Sequence, residues 1–287
     1  MYRIVDIDED NREEYADYLG EDVSENIGRA YYRAIAVVDE ATSMPRAGMV
    51  WTLKNINEDA DTESNIVFIR SDNEDAFSYM MDDYTDRIKS DGVVRSHAFI
   101  PVKEGRQLKE MLKEAGFNMR LSESDVVLVK LSELSDMPFL QKIKKAGIPD
   151  TILPLEQVTM RSFRKGVTKC VMQGMVGLCD DLSDLDMGWF ENDVSCVSII
   201  DGAINGLLLF HQRPSGVIAI QLMVCLDQSF KKTLPYLMGR FVISMEKKYS
   251  PDVRIELDRH NQQSLLLSEK LLPRGFGIPI YAGSRTE

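Results

Sequence analysis

Short apolar, β-branched runs alternate along the chain with longer stretches whose apolar positions recur every three or four residues, the pattern of strands interleaved with helices. In the first half YRIVDI (2–7) reads as a strand and the polar segment 9–20 as a helix. AIAVVDE (34–40) and RAGMVWTL (46–53) make a hairpin pattern around the turn-like ATSMP. NIVFIR (65–70) is a further strand. EDAFSYMMDDYTDRIKSDG (74–92) is a helix with an acidic first turn, which suits the positive end of the helix dipole, and a glycine stop. The strand VVRSHAFIPV (93–102), the helix GRQLKEMLKEAGF (105–117) and the strand SDVVLVKL (124–131) complete the half.

The second half repeats this order. LEQVTMRSFRKGVTKCVMQG (155–174) is helical, and the acidic CDDLSDLDMGWFEND (179–193) is rich in turn residues. VSCVSII-DG-AINGLLLF (194–210) is a hairpin around Asp201-Gly202, because Asp-Gly accepts the positive φ angles of a tight hairpin turn. The strand VIAIQLMV (217–224), the helix 232–250 and the strand DVRIELD (252–258) follow. RHNQQSLLLSEKLLPRGFG (259–277) is a last helix and GIPIYAG (277–283) a last strand. Gly48 and Gly206 fall at matching points, and Gly116-Phe117 and Gly275-Phe276 close matching helices. Two copies of one α/β (α+β) unit follow: 1–133, a linker over 134–151, and 152–287.

Composition narrows the partners. The first unit carries 29 Asp+Glu against 16 Lys+Arg, and the remainder 17 against 18. An acidic first half repels nucleic-acid phosphates and favours a cationic partner, or serves only as a solvated face. The acidic N-terminal stretch lacks the apolar core of a secretory signal, and no run of eighteen apolar residues exists. Cys170, Cys179, Cys196 and Cys225 are widely spaced in apolar settings, as expected of buried thiols in a reducing cytoplasm. The basic helix 160–175 could meet a partner or membrane surface, but Met160, Phe163, Val167, Cys170 and Val171 fall at core spacing, so it is expected to pack on the second sheet. Neither nucleic acid nor membrane is expected as a partner, and oligomeric state is not readable.

The element order, DGAINGLLLF, and the later Asn261, Ser264, Leu267, Glu269-Lys270 and Gly275-Phe276 resemble the GNAT superfamily of N-acetyltransferases, whose late helix reads N-x-x-A-x-x-L-Y-E-K-x-G-F. The resemblance covers most of 155–287. Over 1–133 it rests on strand order and MLKEAGF (111–117). It implies two tandem units, each a mixed, mostly antiparallel sheet flanked by helices. It also implies acetyl-CoA or CoA as the cofactor, and a small-molecule amine as the acceptor.

Two departures qualify that implication. The family's R/Q-x-x-G-x-G/A loop lets backbone N–H groups close on a pyrophosphate. Here SFKKTLP (229–235) puts Ser229 at the first position and Lys232 and Leu234 at the glycines. Lys231 and Lys232 could supply charge instead. In the first unit RSDNEDAF (70–77) is acidic and lacks glycine, and should repel a pyrophosphate. The family's general-acid Tyr is replaced by Ser268, and by Leu112 in the first unit. The implied cofactor-binding positions are Val224, Ser229, Lys231, Lys232, Thr233 and Asn261. The catalytic candidates are Glu256 and Asp258, which strand alternation puts on one face with Arg254, and Ser268 as proton donor. An Arg254/Glu256/Asp258 row facing solvent or pairing across the sheet, and a simple capping role for Asn261, remain open alternatives. His97, His211 and His260 show no metal spacing, and no Walker loop, G-x-S-x-G elbow or HExxH is present. The sequence therefore supports an N-acyltransferase or, alternatively, an inactive binding or regulatory module of the same fold.

Overall fold

The computed structural model describes residues 1–55, 61–103, 105–173, 186–226, 233–258 and 277–287. The chain forms two compact units: Met1–Ser124 with Ile278–Glu287, and Asp125–Gly277.

In unit 1 the strands are β1 (Tyr2–Asp6), β2 (Tyr32–Asp39), β3 (Met44–Asn55), β4 (Thr62–Ser71), β5 (Val93–Pro101) and β12 (Gly277–Thr286). They lie side by side in the order β1-β2-β3-β4-β5-β12. All neighbours are antiparallel except β4 and β5, which are joined by the helix α3 (Glu74–Ser90) and run parallel. Both faces of β2 are buried. On one, Ile35, Met49, Trp51 and Ile66 pack against Phe77, Met80, Tyr84 and Ile88 of α3 and Leu112 of α4 (Arg106–Glu114). On the other, Ala34, Ala36 and Val50 meet Leu19 and Ile27.

That second layer is not the single helix expected over 9–20. It is a 3-10 turn at Arg12–Tyr15 followed by α1 (Ala16–Leu19) and α2 (Glu21–Ser24). Gly20 breaks it with φ 76°, and the Phe68 ring lies so close that a Cβ there would sit 2.5 Å from it.

In unit 2 the strands are β6 (Arg120–Lys130), β7 (Ile152–Pro154), β8 (Cys196–Ile200), β9 (Ala203–Gln212), β10 (Ile218–Cys225) and β11 (Arg254–Asp258), in the order β6-β11-β10-β9-β8-β7. Again one pair is parallel, β10 with β11, across the helix α8 (Thr233–Lys248). The β8–β9 turn has Asp201 at φ 51° and Gly202 at φ 73°, the geometry expected of Asp-Gly. α8 covers one face through Leu237, Phe241 and Met245. α7 (Met160–Met172) covers the other through Phe163, Val167 and Cys170. The basic helix thus packs on the sheet as expected, although Met160 and Val171 stay exposed.

Three expectations are corrected or refined. First, the closing strands are exchanged: residues 126–130 of β6 pair with β11 in unit 2, and residues 280–286 of β12 pair with β5 in unit 1. The halves 1–133 and 152–287 therefore do not coincide with the packed units. Second, the linker 134–151, which the sequence reads as a short basic helix and Gly-Ile-Pro, holds that helix in packed form. The helices α5 (Leu131–Ser135) and α6 (Pro138–Ala146) bury Leu131, Leu134 and Leu140 in the α8 core. A Cβ on Gly239 of α8 would lie 2.5 Å from Ile143, so the glycine permits that close approach. Third, Gly48 and Gly206 are not equivalent. A Cβ on Gly48 would meet Tyr18 of α1, whereas one on Gly206 would meet Leu237 of α8, on the opposite sheet face.

The Gly-Phe stop is realised in unit 1. Gly116 takes φ 93°, Phe117 N–H donates back to Leu112 C=O at 2.9 Å, and the Phe117 ring is buried. Gly275-Phe276 lies outside the described residues.

Candidate functional site

In each unit the strand before the crossover helix carries one extra residue. In β4 it is Val67, since Ile66 lies opposite Trp51 and Phe68 opposite Val50. In β10 it is Gln221, since Ile220 lies opposite Phe210 and Leu222 opposite Leu209. A bulge of this kind inverts side-chain alternation and increases local twist. Ile218 and Ile220 accordingly face the α8 core, while Leu222 and Leu226 face the α7 core. Parallel pairing then ends, after Ile66 and Ala98 in unit 1 and after Ala219 and Glu256 in unit 2. From Leu222 to Cys225, β10 is paired only with β9 among the described residues. Among the described residues its other edge has no strand partner beyond Ala219.

The bulges set the two units in register. Two residues before each bulge, Asn65 lies opposite His97 in unit 1 and Ala219 opposite Glu256 in unit 2. His97 and Glu256 are thus equivalent positions, and each has an ionisable side chain beside it. Glu256 is buried, and its Oε1 accepts from Nη2 of Arg213 at 2.5 Å. Arg213 stands at the start of the β9–β10 turn, where Gly216 at φ 81° closes the chain. Nε2 of His97 lies 3.2 Å from Oε2 of Glu63.

Glu256 is therefore not part of a solvent-facing row. Arg254 is exposed, and Arg213, from the β9–β10 turn, pairs with Glu256. Asp258 is the last residue of β11, and the structure describes its backbone only. Val224 is half-buried on the unpaired reach of β10, and Thr233 is the first residue of α8. Ser229, Lys231, Lys232, Asn261 and Ser268 lie outside the described residues. His97 as the counterpart of Glu256 escaped the sequence reading. The signal was present in the repeat, but only the bulge positions align it.

The two helix starts differ in their fitness for a phosphate. At α3 the Asn73 side chain accepts from Ala76 N–H at 2.8 Å, and Glu74 and Asp75 follow in the first turn. That end is capped and negative, which does not fit a pyrophosphate. The first turn of α8 has no acidic residue. Unit 2 therefore fits an anionic cofactor better. The buried thiols are unsuited to nucleophilic work: burial pushes Cys170 up to about 12 and Cys225 up to about 11, and raises Cys196 further. Among the described residues no group of three His, Cys, Asp or Glu could hold a metal, and no helix is long and apolar enough to cross a membrane.

No protein-family model matches the sequence, and no curated protein matches it. Solved structures do. A tandem GNAT protein from the clavulanic acid biosynthesis pathway aligns over 100% of this chain and 98% of its own, at TM-score 0.60 and 9% identity. A GCN5-related N-acetyltransferase from Sphaerobacter thermophilus aligns over 99% and 95%, at TM-score 0.51 and 10% identity. A probable N-acyltransferase from Enterococcus faecalis V583 aligns over 100% and 72%, at TM-score 0.52 and 11% identity. At these identities the likeness is one of architecture: the chain has the fold of tandem GNAT proteins.

Proposed function

We propose that the chain is an N-acyltransferase that draws an acyl group from acetyl-CoA or another acyl-CoA in unit 2 and passes it to a small cationic amine. The observation that carries this reading is the parting of β10 from β11 beyond Ala219 and Glu256, with a buried, paired carboxylate at the fork. An acyl-CoA supplies a thioester carbonyl activated toward attack. Val224 on the free reach of β10 and Thr233 at the start of α8, with Ser229, Lys231, Lys232 and Asn261, are the positions assigned to hold it. Glu256 and Asp258 would take the proton of the attacking amine, and Ser268 would return one to the departing thiolate. Small amines rather than nucleic acid or membrane are the proposed partners. The buried free thiols Cys170, Cys196 and Cys225 suit a cytoplasmic setting.

The test is release of CoA thiol from acetyl-CoA across a panel of primary amines. Saturable release that Glu256→Gln reduces supports the reading, and release from no amine in a broad panel ends it. A second reading, a binding module without transfer, is favoured by one specific observation. Arg213 already engages the Glu256 carboxylate, leaving less of it free for a substrate proton. Acetyl-CoA that protects the protein thermally without being consumed would select this alternative.

A further inference from the structure

The outer face of α7 is a concentration of unmatched positive charge. Arg161, Arg164, Lys165 and Lys169 are all exposed, and none has an ion-pair partner among the described residues. Other lysines of unit 2 are matched: Lys130 with Asp252, Lys144 with Glu246 and Lys248 with Glu191. α7 itself contains no acidic residue. At about 100° per residue, Arg161, Lys165, Thr168 and Met172 form one stripe, opposite the buried Phe163, Val167 and Cys170. The stripe lines an open groove of about 620 Å³, bounded at its ends by Met160 and by Met172, which is 83% exposed. A groove built from one helix and open to solvent does not enclose a small molecule, but it can receive the side chains of a second surface.

The helix α3 of unit 1 carries the converse. Asp75, Tyr79, Asp82 and Asp86 are exposed and recur at the same spacing of four, three and four residues, opposite the core-facing Phe77, Tyr84 and Ile88. Glu74 precedes them, and Lys89 in the last turn is the one cation on that side of the helix. None of these four carboxylates has an ion-pair partner among the described residues, whereas Asp83, off the stripe, is taken by Arg87. Tyr79, 42% exposed, stands between the acids, where a cation can rest against its ring. The two helices thus present stripes of one spacing and opposite sign, dressed with the Arg, Tyr and Met side chains that protein interfaces favour.

We propose that the outer face of α7 is a docking surface for a second copy of this chain, which presents its α3 stripe to the groove. A second copy is the occupant because the chain itself carries the surface of matching spacing and opposite charge. Each contact joins two different faces, so copies add until a ring closes. Exposed ion pairs are individually weak, so the assembly forms with rising concentration and dilution reverses it. It is separate from acyl transfer in unit 2 and stands whether or not that reaction occurs.

The experiment is sedimentation equilibrium of the whole chain, with charge reversals at exposed positions only. The average mass of the native chain should rise above 32.6 kDa with concentration. Lys165→Glu/Lys169→Glu and Asp82→Lys/Asp86→Lys should each weaken association at least about tenfold, because like charges then face one another. All four changes on one chain make the faces opposite again and should restore association, which also shows that the fold tolerates them. General repulsion between negative copies predicts a different pattern. Each reversal shifts the formal charge of −12 by two, so the first variant is more negative than the native chain and the second less. Net charge alone would therefore loosen the first and tighten the second. Association of Asp82→Lys/Asp86→Lys as strong as the native chain's, or failure of the four-change variant to associate, would overturn the proposal. So would a native chain that stays monomeric up to about 1 mM. Binding of that monomer to phosphatidylserine–phosphatidylcholine vesicles, lost in Lys165→Glu/Lys169→Glu, would then assign the face to a membrane instead.

Discussion

Removing one oxygen atom from the core of unit 1 should cost more than removing three. The Tyr84 hydroxyl on α3 lies 2.8 Å from Ser64 Oγ on β4 and 3.0 Å from Ser96 Oγ on β5, and all three side chains are fully buried. Tyr84→Phe removes two hydrogen bonds, each with a net worth of about 1 kcal/mol, and leaves two serine hydroxyls in a dry core. With partial rescue by nearby backbone carbonyls, the total should be about 2–3 kcal/mol. The triple variant Ser64→Ala/Tyr84→Phe/Ser96→Ala leaves nothing unsatisfied and should recover at least about half of that loss. Urea unfolding can be followed by the fluorescence of Trp51, whose ring meets Tyr84 edge-on at 5.3 Å, in a Trp189→Phe background that silences the other tryptophan. A Tyr84→Phe loss under about 0.5 kcal/mol, or a triple variant less stable than the single, would refute the reasoning. A pH consequence accompanies it. Burial raises the Tyr84 phenol above its usual 10 despite the two serines. Its contribution to stability is thus complete below pH 10 and disappears as pH rises through the higher folded value.

Other outcomes follow from the same geometry. Arg213→Met removes a charged partner of the buried Glu256 carboxylate and should destabilise unit 2 by about 2–4 kcal/mol, with Glu256→Gln on that background restoring part; chemical denaturation of both variants checks this. Glu246 is pushed up by burial, but Lys144 at 2.6 Å and the Ser135 hydroxyl more than offset this and hold its carboxyl below the usual 4.5. Its stabilisation should therefore be present above pH 4.5 and fade as pH falls through the folded value, and Lys144→Met should flatten the acid limb of a pH–stability curve. In a Cys179→Ser background the three buried thiols should be inert to a disulfide reagent at pH 8 and should all react in urea; rapid reaction in the native state would contradict their burial.

Much of the architecture was legible because the alternation of apolar and polar residues differs so clearly between strand and helix. Asp201-Gly202 marked its hairpin because few residue pairs accept two positive φ angles. Gly116-Phe117 marked a helix stop for a similar reason. What escaped the reading depends on contacts between distant residues. Gly48 and Gly206 matched in sequence, yet counted from the bulge in each unit Gly206 corresponds to Ala47, so the two glycines face opposite sides of their sheets. Glu256 pairs with Arg213, from the distant β9–β10 turn, and neither neighbour on β11 announces it. His97 became interesting only once Glu63, 34 positions earlier, was found beside it. The basic run in 132–151 looked like a linker because it is short and charged, but its leucines and Ile143 pack on α8.

The exchanged closing strands have a consequence for the order in which the protein can be built. During synthesis every described strand of unit 2, from β6 through β11, is available by residue 258, while the β5 edge of unit 1 still lacks its neighbour. That edge is an open row of backbone donors and acceptors until Ile280–Thr286 have been made. Arg285 then fastens the arriving strand, donating to Ala115 C=O at 3.0 Å and to Thr85 Oγ1 at 3.1 Å. The half synthesised first is thus finished last, and a ribosome halted after residue 258 would hold a nascent chain whose exposed edge invites pairing with any stray strand.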